Sequence, residues 1–237
     1  MIVAAAVCPH PPLLLRELTG AQDPVAGLRA ACLSAVAAVT RDDPDVVLVV
    51  GGDGVSRSWD PSLAPEVRRF GTTGAADGPG LPLSLGAGMR LLDEAGWAGA
   101  VELTAVAWDA PPEEVAELAE RIAGRAERVA LLVLGDGSAR RGEKAPGYLD
   151  DRAFDFDASV ARALAEGNAA ALEAMDVSLA DELMVLGRAA FGVLGSVVRR
   201  QGGAPNAELA HQDDPFGVMY LVAVWQLSGE SAGQTRP

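Results

Sequence analysis

Histidine and cysteine are scarce in this chain, with two of each, and that limits the chemistry open to it. Zinc fingers and disulfide scaffolds need several cysteines at close spacing. Cys8 and Cys32 lie on separate expected elements and form no CxxC pair, which points to a reducing, cytoplasmic setting. Aromatic residues make up only 5% of the chain, too few for platforms on which bases stack. Cations are outnumbered as well. The formal net charge is -14, which argues against nucleic acid or an anionic membrane as partner, since both attract clustered Lys and Arg. No apolar run reaches the roughly 18 residues of a membrane span. The apolar opening has no basic flank and stops at Pro9, unlike a secretion signal. What the chain does have is apolar content, 49% of its residues, enough for a substantial core. A small molecule is the partner that fits best, and the composition is compatible with a homo-oligomer.

The hydrophobic pattern alternates between two kinds of segment. Met1–Val7, Asp45–Val50, Val101–Val106 and Val129–Leu134 are short continuous apolar runs bounded by turn residues, as expected of strands buried on both faces. Asp23–Thr40, Leu85–Ala95 and Pro111–Ala126 show helical spacing. Asp23 is a candidate N-cap, and Pro and Glu open the third helix. Residues 55–85 are rich in Gly, Pro and Ser and read as a long excursion with a short strand near Val67–Phe70. Helical pattern returns over Asp157–Glu166, Ala169–Met175 and Leu179–Arg200, and Phe216–Leu227 reads as a closing strand. The expected fold is a single α/β domain over residues 1–228, with a mostly parallel or mixed central sheet covered by helices on both faces. A polar tail of residues 229–237 follows.

Three of the expected strands end in loops that carry polar side chains: Cys8-Pro9-His10-Pro11, Gly52-Asp53-Gly54 and Gly135-Asp136-Gly137-Ser138. Ligands of open α/β sheets bind beyond the carboxyl ends of the strands. Proline fixes the direction of the histidine loop, and glycine allows a close backbone approach. His10, Asp53 and Asp136 would then converge, and one imidazole with two carboxylates suits a divalent metal. The plain alternative is that the two Asp-Gly pairs are turns.

The order of these motifs resembles the class III extradiol ring-cleavage dioxygenases of the subunit-B type, with their Memo-like relatives, over nearly the whole chain. VCPHPP looks like the family's opening strand and His-Pro loop, and DVVLVVGGDG like its second strand and ligand loop. LLVLGDGSARR, YLDDRAFDFD, LADELMVLGRAAFGVLGSV and DDPFGVMYLVAVW follow in the family's order. The resemblance implies Fe(II) held by two histidines and a glutamate, another histidine as acid/base, and a catechol-like substrate opened by dioxygen. Carried over by position, His10 matches the first ligand. Asp53 or Gly54 stands where the second histidine would be, and Asp136, with Ser138 and Arg141 nearby, stands where the acid/base histidine would be. Glu182, or its neighbour Asp181, matches the glutamate. A carboxylate in place of imidazole makes the site harder and more negative. Memo-like relatives imply an alternative, a binding or scaffold protein that kept the fold and lost the metal.

The remaining candidates each have a plain reading beside the functional one. His211 precedes the closing strand, where it either supplies an imidazole to the strand ends or faces solvent in a loop. Glu182 lies on a helix, where an exposed glutamate is ordinary. Arg140 and Arg141 suit a substrate anion, or else pair with Asp150, Asp151 or Asp155. Cys8 neighbours His10, but a thiolate–imidazole pair requires contact, and a buried Cys8 is the simpler expectation.

Overall fold

The computed structural model describes residues 1–19, 22–70 and 80–227. Among these, seven strands form one sheet: β1 (Ile2–Cys8), β2 (Val46–Asp53), β3 (Arg57–Trp59), β4 (Ala100–Ala107), β5 (Val129–Leu134), β6 (Asn206–Asp213) and β7 (Tyr220–Gln226). The order across the sheet is β3-β4-β2-β5-β1-β7-β6. The four central strands, β4, β2, β5 and β1, run parallel; β3, β7 and β6 pair antiparallel at the two sides. The helices are α1 (Arg16–Thr19), α2 (Ala26–Thr40), α3 (Leu83–Glu94), α4 (Pro112–Ala123), α5 (Arg152–Glu166), α6 (Ala169–Glu173), α7 (Val177–Glu182) and α8 (Arg188–Gln201).

The parallel centre explains the continuous apolar runs, because each central strand must bury both faces. Alternate residues of β1, β2 and β5 feed two separate cores. Val7, Val50 and Val133 pack with α4, α5 and α8 on one side, while Ala6, Val49 and Leu132 pack with α2 and α3 on the other. Each fully buried Val or Leu contributes roughly 1.5–3 kcal/mol. The expected single α/β domain, with a mixed sheet covered on both faces, is the observed architecture. No described helix is long and apolar enough to cross a membrane.

Several boundaries differ from expectation for identifiable reasons. β2 does not stop at Gly51 but runs on through Asp53. Its glycines serve close packing rather than a turn. A Cβ on Gly51 would lie 2.7 Å from Ser84 Cβ, and one on Gly52 would lie 2.4 Å from Trp108 Cδ1. Asp23 is not the cap of α2; Val25 holds that position, and Asp23 Oδ2 instead accepts from Arg29 Nε at 2.8 Å and Arg16 Nη1 at 3.0 Å. The short strand of the 55–85 excursion lies at Arg57–Trp59, and Arg68–Phe70 is a single 3-10 turn. The helix expected over Leu179–Arg200 is two helices, α7 and α8, separated at Met184, which adopts φ 57°. The segment before the closing strand, expected as a loop, is the edge strand β6. The polar tail lies outside the described residues.

Candidate functional site

The sheet register brings the three strand-end motifs to one level. Gly51 of β2 and Cys8 of β1 both pair with Leu134 of β5. Two residues on stand Asp53, the last residue of β2, and His10 and Asp136, just past the ends of β1 and β5, with β5 in the middle. One strand spacing is about 4.8 Å, so the backbones of His10 and Asp53 lie on the order of 10 Å apart.

His10 and Asp136 do meet. The His10 backbone N–H donates to Asp136 Oδ1 at 2.8 Å, and His10 Nδ1 lies 3.5 Å from the same oxygen. At 3.5 Å that imidazole nitrogen makes no hydrogen bond, and it is a buried polar atom without a partner. Both residues are deeply covered, His10 at 4% exposure and Asp136 at 8%. Tyr220, the first residue of β7, is buried close by. Its phenol is pushed well above the ordinary range, first by burial and then by the negative charge of Asp136. Nothing in the sequence marks Tyr220 beyond its place at the start of an apolar strand.

A second polar cluster sits on the same β5 exit and is fully bonded. Asp157 of α5 is completely buried. Its Oδ1 accepts Ser138 N–H at 2.9 Å, and its Oδ2 accepts the Ser138 hydroxyl at 2.5 Å and Arg141 Nη1 at 3.2 Å. Arg141 Nε donates to Asp214 Oδ2 at 2.5 Å, and its guanidinium lies over the Phe154 ring. Burial raises the Asp157 carboxyl above its usual range although every one of these bonds opposes the rise. Arg141 therefore pairs with acids, but with Asp157 and Asp214 rather than those nearest in sequence.

The other candidates lie elsewhere. Glu182 ends α7 on the surface, where its Oε2 accepts from Arg152 Nη1 at 2.7 Å. Its side chain is 52% exposed, because Ala180 is the buried position of that short helix. His211 is not in a loop; it is a half-buried residue of β6 opposite Val222, and β7 separates it from β1. Cys8 is buried with Cys32 as the neighbour that raises its thiol, by a hydrogen bond first and burial second, so no Cys8–His10 nucleophile pair forms.

These positions answer whether the chain fits the Fe(II) that the resemblance implies. Among the described residues, no three His, Cys, Asp or Glu side chains gather into a group that could hold a metal ion. His10 has one carboxylate beside it, Asp53 stands on the next strand but one, and Glu182 is engaged by Arg152. The donor set does not fit an octahedral or facial three-ligand site.

Comparison with known proteins bears on the fold alone. No family model matches the chain, and no curated protein does. The crystal structure of uncharacterized protein JW3007 from Escherichia coli K12 is similar, with a TM-score of 0.56 over 95% of this chain and 100% of that one, at 15% identity.

Proposed function

We propose that this chain is a small-molecule-binding domain of the class III extradiol dioxygenase-like type, one that has the family's strand-end loops without its metal chemistry. The observation that supports this reading is the separation of the donors. Of His10, Asp53, Asp136 and Glu182, only His10 and Asp136 touch, and Asp136 Oδ1 is already the acceptor for a backbone N–H. The imidazole and the neighbouring phenol are buried, and one bond, from the His10 N–H to Asp136 Oδ1, links the loops that follow β1 and β5. A proton relay to the third-loop position would need an imidazole there, and His211 lies on an edge strand instead.

One observation favours the metal-dependent ring-cleavage reading. His10 Nδ1 is a buried polar atom with no partner, and such atoms are few in native proteins. Oxygen uptake separates the two readings. Protein purified without chelator is supplied with Fe(II) and a panel of catechols under air. The binding-domain reading expects uptake no greater than in a protein-free control. Uptake that disappears in His10→Ala would establish the oxygenase reading.

A further inference from the structure

A cleft of about 390 Å3 lies between the exit of β4 and the α7–α8 connection, and it shares no residue with the His10–Asp136 pair. Its volume falls within the roughly 300–1,000 Å3 typical of small-ligand sites. Trp108, Met184 and Leu186 line it, each a large apolar side chain about two-fifths exposed (40%, 39% and 38%). Met184 sits at φ 57°, directly after α7, a place where glycine is ordinary.

The charges in this cleft are not paired with one another. Arg188, at the start of α8, is only 7% exposed. Its Nη2 donates to the carbonyls of Trp108 at 2.8 Å and Ala110 at 2.7 Å, which fixes the guanidinium plane. Among the described residues it forms no ion pair, and its Nε and Nη1 have no acceptor. Burial lowers its affinity for its own proton, opposed by the charges of Asp109 and Asp181. Those two aspartates line the same cleft, are exposed, and form no ion pair with any described residue. Their charges act on Arg188 from a distance, without a direct ion pair. The two carbonyls take up Nη2, so a ligand carboxylate would accept a single charge-assisted hydrogen bond from Nη1 or Nε. A phosphate dianion would be repelled by the two aspartates, whereas an ammonium group would be drawn to them. The apolar walls and the indole face of Trp108 suit a hydrophobic body and a cation beside it.

We propose that this cleft binds a zwitterion with an apolar side chain, an α-amino acid of the phenylalanine or leucine type, its carboxylate on Arg188 and its ammonium toward Asp109 and Asp181. The proposal is independent of either reading of His10. Calorimetric titration with L-phenylalanine, 3-phenylpropionate and phenethylamine tests it on the wild-type chain. L-Phenylalanine should bind saturably, and each singly charged analogue at least about tenfold more weakly, the factor for one lost charge-assisted hydrogen bond. Asp109→Asn with Asp181→Asn, both at exposed positions, should remove the preference over 3-phenylpropionate and keep the preference over phenethylamine. Arg188→Gln should remove the preference over phenethylamine. No saturable binding of L-phenylalanine, equal binding of the three probes, or a preference over 3-phenylpropionate that survives the paired aspartate variant would overturn it.

Discussion

Asp157 and Asp136 are both buried carboxylates at the exit of β5, yet their surroundings differ in kind. Both oxygens of Asp157 are engaged, by the Ser138 N–H, the Ser138 hydroxyl and Arg141. Asp136 takes one backbone N–H and stands 3.5 Å from an imidazole nitrogen that has no partner. A fully satisfied buried network rigidifies the chain around it, while a partly satisfied one keeps unused polar capacity. The first cluster is therefore a brace between α5 and the β5 loop. The second is equally covered but only partly bonded, and it lacks the further donors that a metal needs.

The largest effect expected is at the brace. Asp157→Ala leaves the Ser138 N–H and hydroxyl without their buried acceptor and Arg141 with Asp214 alone, and should cost about 3 kcal/mol in denaturant unfolding, the lower end for breaking a buried charged pair. A loss no larger than that of Asp136→Ala would erase the distinction between the clusters. Asp136→Ala removes a single acceptor from the His10 N–H, and about 1–3 kcal/mol is expected.

How much of this was legible in sequence depends on what each segment packs against. The central strands were readable because burial on both faces leaves unbroken apolar runs such as VALLVL at Val129–Leu134. β6 was not, because an edge strand with one face toward solvent alternates polar and half-buried residues, as NAELAHQD does. The meeting of His10 with Asp136 could be read from their place after adjacent strands, but Glu182 could not be placed, since its helix pairs it with Arg152, thirty residues away. Arg188 carried a faint signal, a lone cation inside the apolar stretch LGRAAFGVLG. What gives it meaning is its burial beside Trp108, which only the fold creates.

A smaller effect sharpens the comparison through pH. Burial lifts the Asp157 carboxyl above its ordinary value of 3.8, so the folded state holds that proton more tightly than the unfolded chain. The stability this contributes is present below pH 3.8 and is lost as pH rises through the folded value. Asp157→Asn has no such dependence. The stability of the wild type relative to this variant should thus decline as pH rises from below 3.8, measured by urea unfolding across that range. A difference that grows with pH would mean that the Arg141 and Ser138 bonds outweigh burial.

The smallest effect belongs to Glu182. Its ion pair with Arg152 is exposed on both sides, and Glu182→Ala should change stability by no more than about 0.5 kcal/mol. A clear loss of bound divalent metal in that variant would instead place Glu182 among the ligands of a site with His10.

Metal binding tests the central claim most directly. Fe(II) titrated anaerobically into the wild-type chain and into His10→Ala, followed by calorimetry, should give the same weak, non-saturating heats for both. A stoichiometric site in the wild type that His10→Ala abolishes would contradict the account and restore the metal centre to this fold.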